Sequence, residues 1–262
     1  MRRLHLFEFN DSPWVPAWLR EYETEYLHTV LLLVKPFDSL APRLAELLRA
    51  SGGREILDLC SGGGGPLPTL LERLARDHGL ECRALLSDLL PNRTAQERWK
   101  GADGRIRYLD EPVDAMAVPA HLGGMRTLFD ALHHFRPAEA RRILADARRA
   151  RVPIGAFEVA SRDLPHVLGS VFIPLLVLGV TPFIRPFSWR RLALTYLVPV
   201  LPLLIWWDGL VSNLRAHRVE ELRELTRELA APDYAFEVGF TGSGPSLVTW
   251  VLGSPQPPTF QP

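Results

Sequence analysis

The sequence predicts an α/β fold with a mostly parallel sheet, a C-terminal antiparallel hairpin and an added apolar helical segment. Three observations predict it. Short apolar runs alternate with amphipathic helical stretches through the middle of the chain, which is the pattern of βαβ units. One of these runs leads directly into the glycines Gly62 to Gly65. Two strand-like runs joined by a turn sequence follow near the end, and this arrangement favours a hairpin.

Length and composition limit the classes of protein to consider. The 262 residues suffice for one domain with additions. The 30 basic and 30 acidic side chains cancel, so we expect no nucleic-acid partner. Cys60 and Cys82 form neither a CxxC pair nor a zinc-ligand cluster, so we expect no disulfide framework and no metal. The first residues lack the apolar core of a secretory signal, and we expect a cytoplasmic protein.

The first part of the chain, residues 1–53, predicts a helical arm or lid. Trp14 to Val34 predicts one or two helices, for which Asp11 and Ser12 supply cap residues. A further helix is predicted from Ala41 to Ala50, because leucines recur on one face before two glycines end it.

Residues 54–160 predict the α/β core. The expected strands are Glu55–Cys60, Arg83–Ser87, Ile106–Leu109, Arg126–Leu132 and Pro153–Val159. Helices are expected at Pro66–His78 and Pro137–Arg149. This order of short strands and intervening helices predicts parallel pairing.

Residues 161–210 predict an apolar helical insertion, and residues 211–262 a final helix and a hairpin that completes the sheet. The hairpin strands are expected at Tyr234–Phe240 and Ser246–Leu252. Within the insertion, Val167–Trp207 is almost wholly apolar, but its two halves are short against the roughly 20 residues of a membrane span. A spanning hairpin would also place its arginines on the outer face. We therefore expect a cover over a bound ligand, a membrane-surface contact or a homodimer contact.

The glycine-rich turn follows a buried strand that contains Asp58. Such a turn lies at the carboxyl edge of a parallel sheet, where open α/β folds bind ligands. Glycines permit close backbone approach, and the amides of the next helix favour a negatively charged group. Counted from Gly62 and Gly64, a dinucleotide fingerprint needs glycine or alanine where Leu67 stands. A nicotinamide or flavin dinucleotide is therefore the weaker interpretation.

The run ILDLCSGGGG resembles the first motif of class I S-adenosylmethionine-dependent methyltransferases, which is a hydrophobic strand followed by D-x-G-x-G-x-G. Asp58, Gly62 and Gly64 match that motif, and Cys60 stands where its first glycine usually does. The resemblance covers about residues 54–159 and implies a Rossmann-like methyltransferase core.

Two further elements match this family in order. Its second strand ends with an acidic residue that binds the ribose hydroxyls, and here Arg83–Ser87 is followed by Asp88. The family often places another acidic residue near the adenine amino group, which Asp114 matches. The resemblance implies S-adenosylmethionine as cofactor and S-adenosylhomocysteine as product. The implied cofactor residues are Asp58, Cys60, Gly62, Gly63, Gly64, Asp88, Leu89, Asp114 and Ala115.

The side of the methyl acceptor has fewer sequence signals. Methyl transfer is an in-line displacement, so alignment supplies much of the rate, and a base is needed only when the acceptor carries a proton. His133 and His134 end a predicted strand at the cofactor edge, and we expect one of them to act as the general base. Capping or core packing is the alternative. Glu158 ends the next predicted strand at the same edge and is a candidate substrate-binding residue.

Other candidate substrate-binding residues lie outside the core. Asp208, Ser212 and Arg215 recur at i, i+4 and i+7 on one helix face. They would line a pocket, or Asp208 and Arg215 would form an internal ion pair. Tyr22 and Tyr26 belong to an aromatic arm that resembles the lids of small-molecule methyltransferases, with plain core packing as the alternative.

These features together predict methyl transfer from S-adenosylmethionine to a small, lipophilic acceptor. The alternatives are a membrane-associated enzyme acting on a lipid or quinone-like compound, and a non-catalytic binding or scaffold protein that keeps the methyltransferase fold. If the apolar segment docks on a membrane, the cytoplasmic protein would be peripheral to it.

Overall fold

The computed structural model describes residues 2–100, 104–242 and 247–255. Within them, one seven-stranded sheet has the order β3-β2-β1-β4-β5-β7-β6. The strands are β1 (Glu55–Asp58), β2 (Arg83–Leu86), β3 (Ile106–Tyr108), β4 (Met125–Phe129), β5 (Ile154–Glu158), β6 (Tyr234–Thr241) and β7 (Val248–Pro255). Strands β1 to β5 pair in parallel, and β7 runs antiparallel to both β5 and β6. The predicted α/β fold with its terminal hairpin is confirmed.

Helices cover both faces of the sheet. The α-helices are α1 (Ala17–Val34), α2 (Ala41–Ser51), α3 (Leu67–His78), α4 (Arg93–Lys100), α5 (Pro137–Ala150), α6 (Leu164–Gly169), α7 (Ile173–Val180), α8 (Trp189–Tyr196), α9 (Val200–Arg215) and α10 (Val219–Arg227). One core packs α2 and α3 against one face, and a second packs α5 and α10 against the other. Ile56 belongs to the first core and Leu57 to the second, because successive side chains of a strand point to opposite faces.

Two predicted strands were too long at their carboxyl ends. Strand β1 ends at Asp58 because Cys60 has a φ of 56°, and β4 ends at Phe129 because Asp130 has a φ of 52°. A positive φ is incompatible with extended backbone. The prediction that His133 and His134 end a strand is therefore wrong. Both residues lie on a 3₁₀ turn, Leu132–His134.

The predicted start of the N-terminal helix was also wrong. Helix α1 begins at Ala17, and Trp14 before it is 70% exposed. Asp11 does not cap the helix, because its carboxylate binds the guanidinium of Arg215. The hydroxyl of Ser12 donates to the carbonyl of Glu8 instead. The chain before α1 is thus a separate segment, which we call the N-terminal strap (residues 3–11).

The terminal hairpin pairs Tyr234 with Pro255 and Thr241 with Val248. Ser246, which was predicted to begin the last strand, lies outside the described residues. Strand β7 lies between β5 and β6, so the hairpin extends the sheet beyond its parallel part.

Helices α6 to α9 form an apolar unit (residues 164–215) with a small core of its own. That core contains Val177, Ile184 and Leu201 together with Tyr26 of α1. Helix α9 crosses position 210, where the sequence predicted a domain boundary. By length and composition, Leu164–Phe183 would suffice to cross a membrane, whereas α8 and α9 together would form a span bent by 76°.

Candidate cofactor and acceptor site

The glycine-rich loop adopts the left-handed conformation at Cys60, Gly62, Gly64 and Gly65. The φ angles are 56° at Cys60, 50° at Gly62 and 103° at Gly64, all in the region that favours glycine. Cys60 therefore adopts a conformation that favours glycine, the residue that usually occupies its place in the motif.

Neighbouring helices approach the loop closely. A Cβ added at Gly62 would lie 3.1 Å from Cγ2 of Thr24, and one at Gly64 would lie 3.0 Å from Nε1 of Trp99. Side chains at these positions would therefore crowd the side chains of α1 and α4, and the positive φ would add strain. Nε1 of Trp99 is a buried N–H donor without a hydrogen-bond partner among the described residues. This donor would suit a carboxylate bound at the loop.

Asp88 lies beside the loop, two residues after β2. Its Oδ2 accepts a hydrogen bond of 3.0 Å from the Gly62 amide, and its Oδ1 accepts one of 3.0 Å from the Leu90 amide. Each carboxylate oxygen has more than one acceptor position, so further donors can be accepted. Burial raises the pKa of Asp88. Leu89, which was also predicted to contact the cofactor, is exposed at this edge.

Asp58 connects two adjacent strands. Its Oδ1 accepts a 2.6 Å hydrogen bond from the Thr127 hydroxyl of β4. Burial, together with the charge of Asp88, raises the pKa of Asp58 to about 7. Asp58 was predicted to contact the cofactor. Its hydrogen bond to Thr127 joins β1 to β4 and stabilises the carboxyl edge of the sheet.

The predicted acidic residues converge around Cys60. Burial raises the pKa of its thiol, and the charges of four aspartates add to that effect. These aspartates are Asp11, Asp58, Asp88 and Asp114. Asp114 accepts a 2.8 Å hydrogen bond from the Met116 amide, and Ala115 is buried. The structure thus brings the three sequence motifs to one edge and adds Asp11, which no motif indicated.

His133 and Glu158 form a buried pair at the same edge. Nδ1 of His133 lies 2.6 Å from Oε2 of Glu158, whose Oε1 accepts a 2.5 Å hydrogen bond from the Leu132 amide. Burial is the largest single effect on the pKa of His133 and lowers it, but the charge and hydrogen bond of Glu158 and the charge of Asp130 together outweigh burial, and the pKa is raised overall. Nε2 of His133 is buried and has no hydrogen-bond partner among the described residues. Glu158 therefore orients the ring and leaves Nε2 available.

His134 faces the N-terminal strap. Its Nδ1 lies 3.1 Å from Oε2 of Glu8 and 2.9 Å from Oδ1 of Asp11, and its ring is 4.2 Å from that of His133 between centroids. Burial lowers the pKa of His134, yet the two carboxylates raise it well above its ordinary value. His134 is therefore a cation paired with the strap, a role that suits a base less well than the environment of His133.

Asp208, Ser212 and Arg215 also bind the strap. Asp208 accepts hydrogen bonds of 2.9 Å from the amides of Phe9 and Asn10. Ser212 Oγ lies 3.3 Å from Oε1 of Glu8, and the Arg215 guanidinium binds the carboxylates of Glu8 and Asp11. Arg215 pairs with strap residues and not with Asp208, which corrects the alternative of an ion pair within α9.

The two tyrosines of the arm face the apolar unit. The Tyr22 hydroxyl lies 2.9 Å from the Ser188 hydroxyl, and Tyr26 is buried in the core of the apolar unit. Burial raises the pKa of Tyr26 to about 12. Thr24 and His28, on the same helix, contact the glycine loop instead. Helix α1 therefore separates the apolar unit from the loop, and a substrate contact for either tyrosine stays a prediction.

Sequence reasoning missed the buried acids of the strap and of α1. Glu8 and Glu23 are 1% and 3% exposed. Burial raises the pKa of Glu23 well above its ordinary value, and the nearby charge of Asp208 adds to the effect. No motif indicates these residues, although a glutamate such as Glu23 within a largely apolar helix is a signal of buried polar contacts.

The same region contains candidate metal ligands. One set is Glu8, His133 and His134, and the other is Asp130, His133 and Glu158, with ligand atoms within 4.8 Å of one another in each set. The sequence showed no ligand spacing because these residues come from distant segments. The expectation of no bound metal stays a prediction.

Comparisons with known proteins show what this architecture is similar to. No family model matches the chain, and no curated protein matches its sequence. Among solved structures, it is similar to the plantazolicin methyltransferase BpumL in complex with SAH, with a TM-score of 0.53, 12% identity, and coverage of 91% of this chain and 98% of that one. It is also similar to a candidate O-methyltransferase from Nostoc punctiforme PCC 73102, with a TM-score of 0.50, 14% identity, and coverage of 96% and 64% respectively. The chain therefore has the fold of the class I, Rossmann-like S-adenosylmethionine-dependent methyltransferases.

Proposed function

We propose that this protein transfers a methyl group from S-adenosylmethionine to a small, lipophilic acceptor. The observation that carries the proposal is the left-handed backbone at Cys60, Gly62 and Gly64, with Asp88 held against the Gly62 amide. This combination leaves an anion-favouring loop and a carboxylate with free acceptor positions at one sheet edge. The fold supports the proposal, as does the SAH complex of BpumL.

The residues at this edge fit the groups of the cofactor. The glycine loop and the Trp99 N–H, which has no partner in the described part of the chain, would hold its carboxylate, and Asp88 would accept the ribose hydroxyls. Asp114 would lie toward the adenine, as the family resemblance implies. When bound, the cofactor supplies an electrophilic methyl group, and the protein supplies alignment and exclusion of water.

Calorimetry with S-adenosylhomocysteine tests the cofactor assignment. We expect the wild-type protein to bind it, and Asp88→Asn to weaken binding by about 10- to 100-fold, since hydrogen bonds to a charged group contribute about 1.5–3 kcal/mol. Asp110→Asn is the control, because Asp110 is exposed after β3 and should leave the affinity unchanged. A wild-type protein that does not bind would refute the function. Equal affinities for both variants would refute only the ribose contact.

His133 is the residue that we propose as general base, with Glu158 as its positioning residue. The Nδ1 contact to Glu158 fixes the ring. The buried Nε2 has no partner within residues 2–100, 104–242 and 247–255, and it would accept a proton from an acceptor hydroxyl or amine. The proton would stay on Nε2 as an imidazolium stabilised by the carboxylate. This role is needed only for an acceptor that carries a proton.

Replacement of His133 tests the base. With isotope-labelled S-adenosylmethionine and an acceptor captured from a cell lipid extract, His133→Ala should lower kcat by roughly 10²–10⁴. Its affinity for S-adenosylhomocysteine should stay close to that of the wild type. Glu158→Gln should shift the acid limb of the rate profile to lower pH, because the charge that raises the His133 pKa is removed. Wild-type turnover by His133→Ala would leave alignment alone to explain catalysis.

A lipid or quinone-like acceptor is the second candidate. It is favoured by the position of α1, which packs Tyr26 into the apolar unit while Thr24 touches the glycine loop. An apolar acceptor that enters through the apolar unit would have to pass only helix α1 to reach the glycine loop. A cytoplasmic location, peripheral to a membrane, is part of this proposal. A scaffold without catalysis would bind S-adenosylhomocysteine and methylate nothing in the same extract.

A further inference from the structure

The apolar unit presents a continuous apolar stripe to the outside. Side chains spaced i, i+4, i+7, i+8, i+11 and i+12 are each between 53% and 63% exposed. They are Leu164, Leu168, Val171, Phe172, Leu175 and Leu176. This spacing places all six on one helical face.

The opposite face contains the few polar residues of this segment together with apolar ones. Ser170 and Thr181 are buried there, and Val177 belongs to the core of the apolar unit. Helix α7 packs against α1 and α9. A helix in water normally exposes its polar side. Here the exposed stripe is apolar instead, and contact with water does not suit it.

The segment that carries this face has charges of one sign between its two flanking aspartates. Between Asp163 and Asp208 the chain contains no aspartate or glutamate, whereas it contains three arginines. Arg185 is exposed, and Arg190 lies with its guanidinium 3.5 Å from the ring centre of Trp18. Trp189, 77% exposed, stands next to them. Exposed tryptophan beside arginine is typical of the boundary between lipid tails and headgroups.

We propose that the outer face of the apolar unit docks on the surface of an anionic lipid bilayer, with the stripe in the acyl region and Arg185 and Arg190 among the headgroups. Charge complementarity favours this occupant. A second copy meeting the first through this face would bring Arg185 and Arg190 of both copies together, and the neighbouring Asp163 is already paired with His166. A span through the bilayer would require Leu164–Phe183 to leave its contacts with α1 and α9.

Docking and catalysis are separate properties of the chain. The docking face belongs to α6 to α8, whereas the proposed cofactor site belongs to the sheet edge. Helix α1 contacts both, through Tyr26 on one side and Thr24 on the other. A docked protein would therefore hold the arm, and the loop behind it, next to the lipid phase from which a lipophilic acceptor comes.

Vesicle flotation tests the proposal with the full chain. We expect the wild-type protein to float with vesicles of phosphatidylcholine and phosphatidylserine. The double variant Leu168→Glu/Leu175→Glu should stay at the bottom of the gradient. Phe240→Glu on β6, where the replaced side chain is equally exposed, is the matched control and should float. Arg185→Ala should weaken partition about fivefold with anionic vesicles and leave partition with phosphatidylcholine alone unchanged.

Each outcome decides between occupants. Wild-type protein that does not bind vesicles refutes docking. If the wild-type protein is then a dimer and the double variant is a monomer, the face is an interface between two copies of the chain. Protein that resists carbonate extraction from the membranes of expressing cells spans the bilayer, which also overturns docking. Retained binding of S-adenosylhomocysteine by the double variant shows that it is folded. Because flotation requires no turnover, its failure is distinct from failure of the proposed function.

Discussion

At the scale of single residues, Cys60 shows how a motif can survive a substitution. The thiol stands at a position with a φ of 56°, where a side chain costs about 1–2 kcal/mol. Most of the loop's left-handed positions are filled by glycine, which adopts them without that cost. We therefore expect the thiol at this position to lower the stability of the loop.

We expect Cys60→Gly to unfold at the wild-type urea concentration or slightly above it. Relief of the left-handed strain offsets the entropy that glycine loses on folding, about 0.5–1 kcal/mol. Cys60→Val should be less stable than Cys60→Gly by about 1–3 kcal/mol, because a β-branched residue is disfavoured at positive φ. Cys82→Gly is the control, since Cys82 has no positive φ and should lose stability. The reverse order of the two Cys60 variants would contradict this conformation of the loop.

At the scale of elements, helix α9 acts as the support of the N-terminal strap. Asp208 near its middle accepts the amides of Phe9 and Asn10, and Arg215 at its end binds Glu8 and Asp11. The strap in turn places those two carboxylates against His134. Helix α9 thus holds the strap so that the carboxylates of Glu8 and Asp11 lie beside His134.

Asp208→Ala should release the strap. It removes the acceptor of two backbone amides, and an unsatisfied buried donor costs about 1–3 kcal/mol. Hydrogen exchange of the Phe9 and Asn10 amides should accelerate by about 5- to 150-fold, with amides of β1 unchanged. Glu220→Ala, on the exposed side of α10, should change neither. Wild-type protection of both strap amides in the aspartate variant would show that other contacts hold this segment.

At the scale of the whole molecule, stability should depend on pH through the buried carboxyl of Asp58. Its pKa is 3.8 in the unfolded chain and about 7 in the fold, mainly because of burial. Between these values the native state holds more protons than the unfolded one. The free energy of unfolding should therefore fall as pH rises from about 4 to about 7. Asp88, which burial also shifts upward, contributes in the same direction.

Asp58→Asn should flatten that dependence while keeping an acceptor for the Thr127 hydroxyl. Between pH 4 and pH 7, the wild-type protein should lose about 3–4 kcal/mol of unfolding free energy relative to the variant, since one pKa unit corresponds to 1.36 kcal/mol. Urea unfolding at several pH values measures the difference. Asp110→Asn, which alters an exposed carboxyl, is the control. If the free energy of unfolding changed with pH in the same way for Asp58→Asn and the wild type, groups other than Asp58 would cause the pH dependence.

Local sequence determined the cofactor edge of this protein. The alternation of strands and helices, the glycine loop and Asp88 could be predicted because each depends on a few neighbouring residues. Periodicity decides which face of a strand or helix is buried, and glycine decides where the backbone can turn left-handed. Strand ends were less accurate, since the positive φ of Asp130 has no clear sequence signal.

Tertiary structure decided which residues surround His133 and His134, the candidates for the acceptor side. Phe9 and Asp208, whose contact holds the strap, are 199 positions apart in the sequence. Glu8 of the strap pairs with His134, which is also distant from it in the sequence. No spacing rule connects such residues. Their carboxylates and cations are paired because burial makes an unpaired charge costly, and only the packed fold determines which groups are buried together.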